Sequence, residues 1–450
     1  MNVNIFREYD IRGVVREDLT QTDVESLGRG IGTYLVRHGA KTATLGRDGR
    51  ISSPQLRDYL IEGLTSTGLN MVDLGVIPTP LSYWSTHRMP VDGAVMITGS
   101  HTPPEYNGFK ITLGTEAIYG AEILRVRDLI LAGDFERGVG EVTSADIKED
   151  YINDLAGRLH LKRPVRFAVD CGNGVGGLTA SPLLRRIGCN PVMMFDQVDG
   201  SFPNHHPDPT IEANLVQLRQ MVVGEGLELG IAYDGDADRI GVVDETGRVM
   251  WGDQILAVLS RRLLQEVPGA TVIAEVKCSQ LLFDDIARHG GKALMWKVGH
   301  SLIKSKMVEV GAELAGEMSG HIFYRNRFYG FDDAVWVTGR LLEIVADSDI
   351  PVSRFLEDWP KLYSTPEIRR DCPDEIKFEV VAKVRDQFRA KYQVVDVDGM
   401  RVIIPGGWGL LRASNTQPVV VLRFEADSPA RLEEIRSAVD VALAAASGGR

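Results

Sequence analysis

Three stretches of the chain repeat one plan of apolar and polar positions. An apolar run enters a polar loop, residues at helical spacing follow, and a glycine precedes a second apolar run. TATLGRDGR leads to SSPQLRDYLIEGL, Gly68 and NMVDLG; VRFAVDCGNG leads to LTASPLLRRI, Gly188 and NPVMMF; TVIAEVKCSQ leads to LLFDDIARH, Gly290 and GKALMWKVG. Each predicts strand, amphipathic helix, glycine stop and strand, a βαβ unit with parallel pairing. Each unit is followed by a further apolar strand that opens into a polar loop, so the three loops are expected at equivalent positions in related domains. The last region differs. Ile376, Val380, Val381, Val384 and Phe388 mark a helix, strand-like VVDVDGMRVII, WGLLRA and VVVLRF follow, and another helix starts near Pro429. The expected class is α/β, with three related βαβ-type mixed-sheet domains (1–150, 151–250 and 251–366) and a smaller C-terminal α+β domain (367–450).

Composition narrows the picture. The 450 residues are 44% hydrophobic, enough for several packed cores, with no N-terminal apolar stretch and no run long enough to span a membrane. Cys171, Cys189, Cys278 and Cys372 lack metal or disulfide spacing, which fits a reducing cytoplasm. A net charge of −12 argues against nucleic acid as the main partner. An acidic protein that binds phosphates must gather its cations in one cleft, and Arg12, Lys110, Arg239, Lys277 and Arg412 are candidates.

Four segments carry the candidate chemistry. TGSHTPPEYNGFK, residues 98–110, puts Ser100 and His101 where a strand opens into a loop stiffened by Pro103 and Pro104, with Asn107-Gly108 as a turn and Lys110 as a nearby cation. ELGIAYDGDADRIGVV, residues 228–243, crowds Asp234, Asp236 and Asp238 into a loop between strands. Such crowding calls for a cation, and hard oxygen ligands suit Mg²⁺. Arg239 follows at once, placed to hold a phosphate. An EF-hand is rejected because Arg239 stands where that loop needs glycine. An aspartyl-phosphate phosphatase using Asp234 stays open on this segment alone. LAGEMSGH, residues 314–321, offers Glu317, Ser319 and His321, side chains suited to sugar hydroxyls, although an ordinary polar turn is the plainer alternative. LLRASNTQP, residues 410–418, sets Arg412, Ser414, Asn415 and Thr416 in a loop without a carboxylate, a phosphate cradle or a simple hairpin turn, or both. GNGVGG, residues 172–177, fits a dinucleotide fingerprint, but no other segment suggests hydride transfer.

Taken together, the four segments resemble the alpha-D-phosphohexomutase superfamily, most closely its bacterial phosphomannomutase/phosphoglucomutase branch. FREYDIRG at 6–13, EVKCSQ at 275–280 and WKVGHSLIKSKM at 296–307 extend the resemblance along nearly the whole chain. One departure is Thr102, where the family's serine loop usually has Asn. The resemblance implies domains around a central cleft, a phosphorylated Ser100, and one Mg²⁺ held by Ser100, Asp234, Asp236 and Asp238. It implies a hexose monophosphate bound through Arg412, Ser414, Asn415 and Thr416, with ring hydroxyls on Glu317 and Ser319. The 1-phosphate and 6-phosphate would interconvert through hexose 1,6-bisphosphate, for mannose, glucose or both. Proton transfer would fall to Lys110 with Arg12, or else to His321 or His101. Tyr9, Lys277 and His300 would add contacts. A phosphoglucosamine mutase and a Mg²⁺-dependent sugar phosphatase are the alternatives. A monomer or small homo-oligomer is expected, with the C-terminal domain acting as a lid.

Overall fold

The computed structural model describes residues 1–415 and 417–447. The three repeated units are present as read. Strand Thr42–Arg47 pairs in parallel with Asn70–Val76 across helix Ser53–Thr65, Phe167–Asp170 with Val192–Met194 across Gly177–Arg186, and Thr271–Glu275 with Lys292–Trp296 across Gln280–Arg288. The glycine after each helix takes the left-handed backbone that ends it: Gly68 at φ 91°, Gly188 at 88° and Gly290 at 81°.

Each unit then receives a third strand on its other side. Gly93–Ile97, Leu229–Tyr233 and Leu314–Gly316 each run parallel to the first strand of their unit, then turn back into an antiparallel neighbour. The loops carrying Ser100, the three aspartates and Glu317 are those three reversals. All leave the carboxyl end of a strand that is paired in parallel on one side, the end at which open α/β sheets place ligands. The strands that lead to them are buried along their length, as expected for strands covered on both faces.

One local expectation is corrected. Asn107-Gly108 is not a turn but lies inside strand Tyr106–Leu113, opposite Gly13 and Arg12 of Ile11–Val14. The ladder takes the backbone, and the Asn107 amide donates to Ser52 and Ser53 (2.9 and 3.0 Å), so the dipeptide's turn preference is overridden.

The second and third regions share one core with the helix Thr79–Arg88 of the first. At its centre helix Ala334–Asp347 is buried almost all round, and it packs on helices of both the second and third regions. In the last region, helices Lys377–Arg389 and Pro429–Ala446 cover one face of an antiparallel sheet. Trp408 and Leu410 on the other face meet Val276 of the third region. Among the described residues no helix is long and apolar enough to cross a membrane, and all four cysteines are buried free thiols.

Candidate active site

Ser100 sits at φ 49°, rare for a residue with a side chain, and is 2% exposed. Its hydroxyl donates to Asp234 Oδ2 (2.8 Å) and lies 3.1 Å from His101 Nδ1. Its N–H donates to Thr98 Oγ1 (2.8 Å). Thr102 accounts for itself: its N–H (2.9 Å) and hydroxyl (2.6 Å) both return to Gly99 O, closing the turn with no amide side chain. Burial, then the nearby Arg239 and Arg12, hold the His101 imidazole well below its usual pKa, so it is neutral.

The aspartate loop packs against this turn. A side chain at Gly235 would meet the Ser100 carbonyl at 2.5 Å. Asp234 Oδ1 accepts the N–H groups of Asp238 and Arg239, both at 3.1 Å. Asp236 Oδ2 accepts Thr79 Oγ1 (2.6 Å), Thr98 Oγ1 (3.0 Å) and Lys110 Nζ (3.2 Å), while Lys110 also meets Asp238 Oδ2. All three carboxylates are fully buried. Asp236 Oδ1 and Asp238 Oδ1 have no hydrogen-bond partner, and one oxygen from each carboxylate lies within 4.8 Å of the others. Burial, then the neighbouring Asp238 and Asp236, drive Asp234 well above the usual carboxylate range. Burial also works against ionised Asp236, but Lys110 and the threonine hydroxyls outweigh it and hold that group low. Buried, partnerless oxygens on mutually repelling carboxylates are the donor set of a hard divalent cation, so the residues fit Mg²⁺. Burial opposes the charge on Lys110, yet Asp236 and Asp238 raise its pKa well above normal and keep it an ammonium.

The third loop is zipped to the second. Arg239 and His321 form an isolated antiparallel bridge, and Ile240 N–H donates to Gly320 O (3.1 Å). Gly320, at φ 87°, leaves no space for a side chain, since one would meet Ile240 O at 2.3 Å. Arg239 Nε donates to His321 Nε2 (2.8 Å). An arginine Nε only donates, so the ring proton belongs on Nδ1, which lies 2.9 Å from Asp332 Oδ2. Nδ1 also lies 3.5 Å from Asp238 Oδ1, so the His321 ring sits between two buried carboxylates. Lys304 lies 3.1 Å from the other Asp332 oxygen.

Glu317 is buried and accepts Gly299 N–H (2.7 Å), which fixes one oxygen, while Ser319 is partly exposed beside it. His300 stacks on His321 with ring centres 5.5 Å apart, and burial, then Lys304, keeps it neutral. Tyr9 reaches across from the first region: its hydroxyl donates to Val298 O (2.7 Å) and accepts from Asn415 Nδ2 (2.8 Å). Arg412 Nε donates to Asp398 Oδ2 (2.9 Å), and that oxygen also accepts Val298 N–H (3.1 Å). Ser414 Oγ accepts Gln417 N–H (3.1 Å). Thr416 lies outside the described residues. Lys277 is 3.1 Å from Glu367 and 3.9 Å from Glu275. Arg12 pairs with Asp10 at the entrance of the first sheet.

A continuous line of contacts thus runs from Arg412 and Asn415 through Tyr9, Val298, Gly299 and Glu317 to His321, Arg239, Asp234 and Ser100. Asp332, Asp398 and Glu367 were missed in the sequence. Each pairs with a residue of a candidate motif but stands in no motif itself. Two glycines of GNGVGG pack against the strand and loop that carry the aspartates. Gly174 would meet Gly235 O at 2.6 Å and Gly176 the Tyr233 ring at 2.8 Å, while Val175 N–H donates to Gly235 O (3.1 Å). The turn buttresses the aspartate loop, and its close packing requires glycine.

Comparison with known proteins agrees along the whole chain. Residues 3–135, 149–247 and 251–363 match the phosphoglucomutase/phosphomannomutase alpha/beta/alpha domains I, II and III, and residues 367–442 match the C-terminal domain of that family. A phosphomannomutase/phosphoglucomutase of Pseudomonas aeruginosa is 43% identical over 435 residues, 96% of this chain and 94% of that protein. A phosphoglucomutase of Neisseria gonorrhoeae is 42% identical over 444 residues, 96% and 95% of the two chains. The crystal structure of a phosphoglucomutase/phosphomannomutase family protein from Burkholderia thailandensis superposes with a TM-score of 0.93 at 41% identity, covering 100% of this chain and 99% of that one. With four domain matches in order and relatives aligned nearly end to end, the chain belongs to the phosphoglucomutase/phosphomannomutase family of phosphohexomutases.

Proposed function

We propose that this enzyme interconverts the 1-phosphates and 6-phosphates of mannose and glucose through a phosphorylated Ser100 and a hexose 1,6-bisphosphate. The observation that carries the reading is the Ser100 hydroxyl, fixed on Asp234 at the edge of a buried, cation-ready set of carboxylates. Asp234, Asp236 and Asp238 would hold Mg²⁺, which supplies positive charge against the transferring phosphoryl group. Arg412, Ser414, Asn415 and Thr416 would bind the phosphate that does not react, and Glu317 and Ser319 the ring hydroxyls. The free sugar hydroxyl then faces the phosphoserine. As its oxygen bonds to phosphorus, the bond to Ser100 Oγ breaks.

One proton must leave the attacking hydroxyl and one must reach Ser100 Oγ. His321 Nε2 already accepts the Arg239 Nε–H (2.8 Å), so the neutral His101, 3.1 Å from Ser100 Oγ, is the group left to take the first. Lys110, held as an ammonium beside the aspartates, is the group with a proton to give. The bisphosphate turns over in the cleft and returns its other phosphoryl group to Ser100. Both orientations use one cradle, because Glu317 and Ser319 meet neighbouring hydroxyls either way round. An aspartyl phosphatase fits less well, since both Asp234 oxygens are already engaged by Ser100 and by backbone N–H groups.

The test is phosphorus NMR of the enzyme with Mg²⁺, a trace of hexose 1,6-bisphosphate and the 1-phosphates of mannose, glucose and glucosamine in separate tubes. Conversion of the mannose and glucose compounds to 6-phosphates is expected, with Ser100→Ala at least about 10⁴-fold slower. Release of free phosphate by the Ser100→Ala variant at the wild-type rate would refute the serine mechanism. Preference for the glucosamine compound would overturn the sugar assignment.

A further inference from the structure

Arg50 ends the motif GRDGR, to which the mechanism above assigns nothing. It is 2% exposed, and every N–H of its guanidinium is engaged. Most of these bonds go to main-chain carbonyls of the serine loop. Nη2 donates to Ser100 O (2.9 Å) and Thr102 O (2.6 Å), and Nη1 donates to Pro103 O (2.7 Å) and Tyr106 O (3.0 Å). Nε donates to Asp48 Oδ2 (3.2 Å), which also accepts the Gly99 N–H (3.0 Å). Asp48 Oδ1 accepts Arg50 N–H (3.1 Å) and the Ser53 hydroxyl (2.5 Å). The remaining carbonyl between residues 100 and 103, that of His101, accepts from His206. Phe202, from the second region, lies over the guanidinium at 5.3 Å. A side chain at Gly99 would sit 2.4 Å from Arg50 Cζ, so the serine loop is pressed directly onto this group.

The loop needs such a hold. A non-glycine residue at φ 49° costs about 1 kcal/mol or more and persists only where its surroundings enforce it. A planar fork with fixed donors can hold several carbonyls in one arrangement, which a lysine, with a single ammonium, cannot. The alternative, a salt bridge that merely stabilises the fold, would not require the fork to face the loop.

We propose that Arg50, oriented by Asp48, is a positioning residue for phosphoryl transfer: it holds Ser100 in its left-handed conformation, with the hydroxyl aimed at the aspartates. The inference rests on the reading of Ser100 as the phosphoryl carrier. The hydrogen bonds of Arg50 go to Asp48 and the serine loop, and none goes to the sugar loop or the phosphate cradle. Its loss should therefore change the chemical step and the lifetime of the phosphoserine, not substrate binding.

The test compares wild type with Arg50→Lys, and with Phe202→Ala in case the first variant does not fold, folding being judged by cooperative thermal unfolding. Intact mass after incubation with hexose 1,6-bisphosphate and Mg²⁺ counts the phosphate on Ser100. Phosphorus NMR then follows turnover and free phosphate. For folded Arg50→Lys, kcat should fall about 100-fold, the loss expected when a reacting atom is displaced by about 1 Å. KM and the Mg²⁺ half-saturation should stay within about twofold, and free phosphate per turnover should rise about tenfold, because a loosened phosphoserine is open to water. Phe202→Ala should show the same pattern at about threefold. Wild-type kcat and phosphoserine lifetime in folded Arg50→Lys would overturn the inference. So would a fall in kcat matched by equal changes in KM and Mg²⁺ dependence, the signature of general loosening. If Arg50→Lys does not fold, an unchanged Phe202→Ala overturns it. A wild-type enzyme that never carries phosphate on Ser100 fails at the earlier step and removes the basis of the inference, a result distinct from the others.

Discussion

Asp333 shows how burial sets a titration outside the reacting groups. It caps helix Ala334–Asp347, accepting Trp336 N–H (2.9 Å), and its other oxygen accepts the Tyr151 hydroxyl (2.6 Å). Burial outweighs these bonds and pushes its pKa up to about 7. Its ordinary value, and that of the unfolded chain, is 3.8. The folded state therefore binds a proton that the unfolded state has released between those pH values. The stabilising contribution is full below about pH 4 and is lost as pH rises through about 7. Asn caps a helix as well as Asp and carries no charge. Asp333→Asn should thus melt roughly 5 °C above wild type at pH 8, and at the wild-type temperature near pH 4. Thermal unfolding across that range checks it, and a constant difference at all pH values would contradict the assignment. The neighbouring Asp332 has the opposite role, since Lys304 and His321 surround it. Two adjacent carboxylates are thus divided between a helix cap and the pair His321 and Lys304.

Between elements, the decisive contact is the docking of the C-terminal sheet on the loop after strand Thr271–Glu275. Arg401 is fully buried, and its guanidinium donates to Val276 O (2.8 Å), Cys278 O (2.7 Å) and Gln280 Oε1 (3.1 Å) while stacking on Trp408 at 3.9 Å. Trp408 Nε1 and Gln280 N–H both donate to Glu425 Oε1, at 2.8 and 3.1 Å. The arrangement fixes Lys277 relative to the strands that carry Arg412. Arg401→Met keeps the apolar stem but leaves carbonyls without donors, at a cost of about 1–3 kcal/mol each. KM for hexose 1-phosphate should rise about tenfold, with kcat changed less, because the strands that carry Arg412, the proposed phosphate cradle, shift while the serine loop does not. Steady-state kinetics decide this, and a loss confined to kcat would refute it. None of this docking was legible in the sequence, since Arg401 and its partners in the third region lie more than a hundred residues apart. The βαβ units were legible because amphipathic spacing and a stop glycine are local signals, and all three glycines have the backbone that the pattern demands. Asn107-Gly108 was misread for the converse reason: a local turn preference lost to ladder partners near the start of the chain. At the site, Ser100 and the aspartates stood out because their motifs are dense in chemistry. Asp332, Asp398 and Arg50 did not, because their roles consist of contacts with distant segments.

For the whole molecule, one side chain links three of the four regions. Tyr9 belongs to the first region, yet its hydroxyl joins Val298 of the third and Asn415 of the fourth. Its ring also occupies the space that a side chain at Gly299 would need, 2.5 Å from where that atom would lie. On the proposed mechanism the enzyme must open to exchange ligand and close to keep water from a phosphorylated Ser100. We expect the C-terminal region to swing as the lid, with Tyr9 as its latch. Two hydrogen bonds at about 1 kcal/mol each bias the closed form by roughly thirtyfold. Tyr9→Phe removes both and keeps the ring, so the cost falls on closure and not on packing. In small-angle scattering, hexose 1,6-bisphosphate should shrink the radius of gyration of the wild type, and Tyr9→Phe should shrink less at the same ligand concentration. KM should rise by about tenfold in parallel, since binding must supply the closing energy that the latch no longer provides. A wild-type scattering profile unchanged by the bisphosphate would refute the lid. Shrinkage equal in both proteins would leave the lid but remove Tyr9 as its latch.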